Sequence, residues 1–280
     1  MRFGVSTHLY HGRRLERAHL AQVAGYGFEA IELFATRSHF DYHDETAVGR
    51  LGDWLSEAGL ALHGIHAPIT DTFADGQWGS ALSNAATDGA RRQDAVREAL
   101  TALQIARRIP FDVMVVHVGT PAGKETPADN NRGAAVRSIE ELCRAAEPLG
   151  IRVALEVIPN ALSTAAALVS LLERDLDAPA SAGICLDFGH AFLQGDVPDA
   201  IETAAEHLFT THVHDNHGRE DEHLVPYRGS IEWDAALIAM QKIGYEGIYL
   251  MELADTGSAA AVLEEARRAR QRFERALQLP

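Results

Sequence analysis

Cysteine is scarce in this chain, long apolar runs are missing, and no glycine-rich turn follows the first strand-like segment. Each absence removes a class of protein. The two cysteines show no CxxC spacing, so neither a disulfide framework nor a thiolate zinc site is expected. Cys143 sits in a helix-like pattern and Cys185 inside the apolar run GICLDF, and both read as small buried residues. No stretch approaches the roughly 18 apolar residues that span a bilayer. The opening MRFGVSTHLY lacks the basic, then apolar, then small-residue order of a signal peptide. A cytoplasmic protein with no membrane partner is the expectation.

Positive charge is short as well. The formal net charge is −15, which weighs against a polyanionic partner. Several bound divalent cations would offset many of those carboxylates locally, so the global charge leaves a phosphate-bearing substrate open. No loop interleaves basic and aromatic residues as a grip on nucleic acid requires, and nucleic acid is not an expected partner. P-loop and Ser-His-Asp patterns are missing too.

What is present is alternation. Short, nearly continuous apolar runs stand at 2–6, 30–34, 61–65, 113–117, 152–157, 183–187, 208–213 and 247–251, as expected of parallel strands covered on both faces. Helical patterns fill the intervals at 15–25, 46–58, 88–108, 133–149, 161–173, 198–207, 234–243 and 258–275. In 88–108, Val96, Ala99, Leu100, Leu103 and Ala106 share one face, with Asp88 placed as an N-cap. Eight strand–helix units in this length predict an α/β chain folded as a single (β/α)8 barrel, one domain over residues 1–280. An open doubly wound sheet would need a phosphate turn where GVSTHLYHG stands. The segment 67–87 is too long for an ordinary βα connection and predicts a lid or substrate wall.

Acidic and histidine residues close these apolar runs repeatedly. His66, His117, Glu156, Asp187 with His190, His212, and Glu252 stand at or just after strand ends, with Asp221 and His223 in the loop after the seventh. In a barrel these ends converge on one mouth. Glu156, Asp187, His212 and Glu252 come from the fifth to eighth strands, and three carboxylates with one imidazole suit Mn, Mg, Fe or Zn. Carboxylates gathered this closely would repel one another without a cation. Trp78, in the long loop, is a candidate for stacking on a bound ligand. Arg219 and Arg228 could bind a phosphate or carboxylate, His8 and Glu32 would face the mouth, and His214 and His217 would be donors behind the ligands or exposed loop residues.

The segments LEV with Glu156, LDFGHA with Asp187 and His190, HVHDNHG from His212, DEH with Asp221 and His223, and YLMEL with Glu252 resemble the xylose isomerase-like TIM-barrel superfamily over essentially the whole chain. That group includes sugar and sugar-phosphate isomerases and epimerases, inosose-processing enzymes and endonuclease IV. In the isomerase branch the resemblance implies one divalent ion (Mn, Mg or Zn) held by Glu156, Asp187, His212 and Glu252. Glu156 and Glu252 would be the catalytic base and acid, and His190 would contact a substrate hydroxyl, with Trp78 and Arg219 as further substrate-binding candidates. In the endonuclease branch it implies three zinc ions: His66, His117 and Glu156 around one, the four-residue set around the second, and His190, Asp221 and His223 around the third. The loop LVPYRGSIEWD after His223 and APITDTFADG after His66 depart from the nuclease pattern. The reading is therefore a metal-dependent isomerase or epimerase of a sugar, sugar phosphate or cyclitol. The alternatives are a trinuclear zinc phosphoesterase, a related dehydratase, or a silent sugar- or metal-binding barrel. A homo-oligomer is compatible with the sequence.

Overall fold

A computed structural model describes residues 2–123, 126, 128–177 and 181–277. Eight parallel strands close into a barrel. They are β1 (Arg2–Ser6), β2 (Ala30–Phe34), β3 (Ala61–His66), β4 (Val113–His117), β5 (Arg152–Glu156), β6 (Ala182–Asp187), β7 (Leu208–Val213) and β8 (Ile248–Met251). Sequence neighbours pair throughout, and β8 returns to β1 through Arg2–Ile248 to Val5–Met251. The expected (β/α)8 TIM barrel is the fold observed.

The strands are buried on both faces, which explains their unbroken apolar composition. Outside the barrel wall, Leu33, Ile65, Met114, Leu155 and Leu186 pack against helix residues such as Leu20, Leu51, Leu103, Leu142 and Leu171. Each such side chain contributes about 1.5–3 kcal/mol by leaving water. Inside, Ala30, Ile248 and Leu250 form one small cluster and Val113, Val115, Ala154 and Cys185 another. A Cβ on Gly183 would stand 2.6 Å from the Phe209 ring, so this glycine lets the ring fill the barrel's floor. Apolar filling below leaves the polar strand ends above with nowhere to point but the mouth.

The helices are α1 (Arg17–Gly25), α2 (Glu45–Ala58), α3 (Gly89–Leu103), α4 (Arg132–Ala146), α5 (Ala165–Arg174), α6 (Phe188–Gln194), α7 (Val197–Ala204), α8 (Trp233–Lys242) and α9 (Ala259–Ala276). Asp88 does cap α3, accepting from the backbone of Ala90 and Arg91. The α-helical part of 88–108 ends at Leu103 and tightens into a 3-10 turn, Gln104–Arg107. One helix was not expected: α6 starts directly after β6, capped by the Asp187 carboxylate on His190 N. Within 67–87, Phe73–Ala74 and Gln77–Trp78 pair as a small antiparallel hairpin. Both cysteines are buried and unpaired. Among the described residues, no helix is long and apolar enough to cross a membrane.

Candidate metal centre at the barrel mouth

Glu156 ends β5 fully buried, and four histidines surround its carboxylate. Oε2 lies 3.0 Å from His66 Nε2 and 3.1 Å from His117 Nε2. Oε1 lies 3.1 Å from His212 Nδ1 and 3.5 Å from His190 Nδ1. Three strands, β3, β4 and β7, thus deliver an imidazole to one carboxylate.

His212 Nδ1 is the focus of a second convergence. Besides Glu156, it stands 3.8 Å from Asp187 Oδ2 and 3.5 Å from Glu252 Oε2. One donor atom from each of Glu156, Asp187, His212 and Glu252 falls within 4.8 Å of all the others, and all four residues are buried. The far nitrogen, Nε2, lies 3.0 Å from Glu32 Oε2. Glu32 is itself held by Ser6 Oγ at 3.1 Å. Glu32 therefore lies behind His212, where it fixes the ring and raises the basicity of Nδ1.

A third group forms where α6 meets the loop after β7. Asp221 Oδ2 is 3.0 Å from both His190 Nε2 and His223 Nε2. His214 Nε2, 3.0 Å from Asp187 Oδ2, stands 3.8 Å from Asp221 Oδ1. Asp215 holds this loop in place: its buried carboxylate accepts from the backbone of Asn216, Tyr227 and Ile231 and from Trp233 Nε1 at 2.8–3.1 Å. His223 adopts a left-handed φ of 46°, a modest cost that the surrounding contacts offset.

Among the described residues, three donor groups of metal-ligand spacing result: His66, His117 and Glu156; Glu156, Asp187, His212 and Glu252; and His190, His214, Asp221 and His223. Burial would raise the Glu156 carboxyl, but His212 and His117 hold it well below the usual carboxylate range. Burial would strip the proton from His212, yet the carboxylates around it hold the imidazole well above its ordinary value. Burial likewise opposes ionisation of Asp221, which His223 and His190 nevertheless pull far down. Carboxylates that bind a proton so strongly on His212 Nδ1 offer the same position to a divalent cation. The residues present fit such an ion: oxygen and nitrogen donors, buried, with the far ring nitrogen already oriented.

Above these groups lies a cavity of about 510 Å³, lined among others by His66, His117, Glu156, His190, His223 and Glu252. The hairpin of 67–87 forms one wall through Ile69, Thr70 and Trp78, as the length of that segment led one to expect. Trp78 is 39% exposed, and one side of its ring stacks on His11 at 5.1 Å.

The nine strand-end residues are all brought together at this mouth, and Trp78 borders it. Arg219 lies exposed in the loop after β7 and is not among the residues lining the cavity. Arg228 is likewise turned outward, onto Glu265. Among the described residues, no Lys or Arg borders the cavity. His217 is exposed and paired with Glu222. His214 belongs to the third group, and its position two residues after His212 in HVH was the signal, since alternate strand residues share a face. His11 was not foreseen; it follows His8 by three residues, the spacing of one turn.

The fold has known parallels. The model of the xylose isomerase-like TIM-barrel family matches residues 20–275. An uncharacterized protein of Methanocaldococcus jannaschii is 26% identical over 279 residues, spanning 95% of this chain and 89% of that one. The crystal structure of a D-tagatose 3-epimerase-like protein superposes with a TM-score of 0.81 at 23% identity, covering 99% of this chain and 98% of that chain. D-psicose 3-epimerase with D-tagatose, from Clostridium cellulolyticum H10, gives 0.77 at 20% identity over the whole of both chains. With the barrel closed and its donor groups gathered at the strand ends, the protein belongs to the xylose isomerase-like TIM-barrel family.

Proposed function

We propose that the protein is a divalent-metal-dependent isomerase or epimerase acting on a sugar or cyclitol by proton transfer through an enediolate. The observation that carries this reading is the meeting of Glu156, Asp187 and Glu252 around His212 Nδ1 at the cavity floor. These four residues would hold an ion such as Mn, Mg or Zn. When bound, the ion supplies Lewis-acid polarisation of the substrate's carbonyl. Glu156 and Glu252 both border the cavity and are the acid–base pair of the reading, one taking a proton beside the carbonyl and the other returning it. His190, fixed by Asp221, would orient a substrate hydroxyl. The hairpin carrying Trp78 would limit water above the reacting carbons. A mouth with no Lys or Arg among the described residues favours an unphosphorylated substrate, and the likeness to an epimerase crystallised with D-tagatose supports a sugar.

A second reading has its own observation. The three donor groups are those a trinuclear zinc phosphoesterase would use, with hydroxide generation and phosphate clamping as its chemistry. The absence of Lys and Arg from the lining among the described residues weighs against a phosphodiester backbone.

The two separate in one experiment on the purified, metal-loaded protein. Elemental analysis is combined with solvent-deuterium incorporation into a panel of ketohexoses and inososes, and with cleavage of abasic DNA. About one ion per chain and exchange at the carbon beside the carbonyl are expected. About three zinc ions, no exchange and a cleaved phosphodiester would replace the first reading by the second.

A further inference from the structure

Six histidines line the cavity, and two of them differ from the rest. His66, His117, His190 and His223 each direct a ring nitrogen at a carboxylate. His8 and His11 direct theirs at backbone carbonyls. His8 Nδ1 lies 3.1 Å from Leu253 O, and His11 Nδ1 lies 2.8 Å from His8 O. A carbonyl only accepts, so each Nδ1 carries the proton, and each Nε2 of the neutral ring is left as an acceptor. Among the described residues, neither Nε2 has a hydrogen-bond partner in the protein, although both side chains face the cavity.

The two rings are also held in place. They stack at 4.5 Å with 17° between planes, His8 rests on His223 at 4.6 Å, and Trp78 stacks on the far side of His11 at 5.1 Å. Phe34 and Phe73 meet them edge-on at 5.0 and 4.6 Å. An aromatic wall with fixed acceptors and, among the described residues, no Lys or Arg gives a phosphate or carboxylate no charged side-chain partner but satisfies hydroxyl donors. We propose that His8 and His11 are specificity-determining residues that accept hydrogen bonds from hydroxyl groups of the substrate, so that this mouth selects an uncharged polyol over its phosphorylated counterpart. This deepens the isomerase reading, on which it rests for the identity of the site.

Binding decides it without requiring turnover. The metal-loaded protein is titrated calorimetrically with D-tagatose, D-fructose, scyllo-inosose and D-fructose 6-phosphate. The tightest uncharged ligand is then scanned with deoxyfluoro analogues, in which fluorine keeps the size of a hydroxyl and loses its donor. Wild type is expected to bind an uncharged member more tightly than the phosphate and to lose roughly fivefold to tenfold at one or two positions on fluorination. His11→Phe keeps the stack and is expected to erase that difference at one position, while His11→Gln, which retains an acceptor, restores part of it. Tighter binding of the phosphate, binding of no uncharged member, or undiminished fluorine discrimination in His11→Phe overturns the proposal. Failure of deuterium exchange with discrimination intact would instead reject the isomerase chemistry and leave the acceptor pair standing.

Discussion

Glu32 and His212, 180 residues apart in sequence, meet inside the barrel with Oε2 3.0 Å from Nε2. The contact lies on the side of the ring away from Glu156, so the ring's second nitrogen is the one offered to a cation. Replacing Glu32 by Gln removes the charge that fixes this orientation while keeping the volume. Metal affinity is expected to fall about tenfold to a hundredfold, read by competition with a chelating dye. An unchanged affinity would reduce Glu32 to a packing role.

Metal removal tests the cluster as a whole. Glu156 touches four imidazoles, and Asp187 and Glu252 crowd the same ring. An ion bound only by the folded state, at a hundred times its dissociation constant, adds about 2.7 kcal/mol. For a chain of this size that corresponds to a melting shift of about 5 °C. Treatment with a chelator is expected to lower the melting temperature by this order, and re-addition of the ion to restore it. Asp187→Asn should melt at the same temperature with and without chelator. A wild-type protein indifferent to both treatments would remove the metal from the mechanism.

The barrel was legible because parallel strands covered on both faces are written as unbroken apolar runs, and the ligand at each run's end marks the mouth. VMVVH and VALE show both signals in one segment. The helix Phe188–Gln194 was not legible, since seven residues are too few for a helical stripe and its cap, Asp187, reads equally as a ligand. The partnership of Glu32 with His212 depends on strand register across the barrel, which a single sequence does not carry. The exposed position of Arg219 was not legible for a related reason. The loop's course is set by Asp215 holding the backbone at 216, 227 and 231, and that leaves 217–220 outward.

Gly189, in LDFGH, has a steric reason that the motif alone does not reveal. A Cβ there would overlap the His214 ring, which is buried and bonded to Asp187 Oδ2 at 3.0 Å. Gly189→Ala must push His214 aside or shift the start of α6. A destabilisation of about 1–3 kcal/mol is expected from such overpacking, measured as a lower urea midpoint. Because Asp187 loses its partner as well, metal affinity should fall in the same variant. Wild-type stability would show that α6 yields freely.

His39 provides a pH test well away from the metal ligands. It is fully buried between the loop after β1 and the loop after β2. Nδ1 donates to Arg13 O at 2.7 Å, and Nε2 takes the Thr7 hydroxyl at 3.1 Å, while Thr7 Oγ1 itself accepts from Phe34 N. Both ring nitrogens are thus used by the neutral form. Burial lowers the pKa from 6.5 to about 4, and the neighbouring His11 and His19 push the same way against the Arg13 carbonyl. The folded pKa is depressed, so the unfolded chain binds this proton first as pH falls. The contribution of His39 is complete above pH 6.5 and drains away as pH drops towards about 4. Between pH 7 and pH 4.5 the loss from this residue comes to about 2.5 kcal/mol. Urea unfolding of wild type and His39→Gln at both pH values isolates it, because the other histidines contribute equally to each. The variant is expected to be less stable at pH 7 and to lose less on acidification. Parallel pH dependences in the two proteins would mean that folding does not depress the His39 pKa.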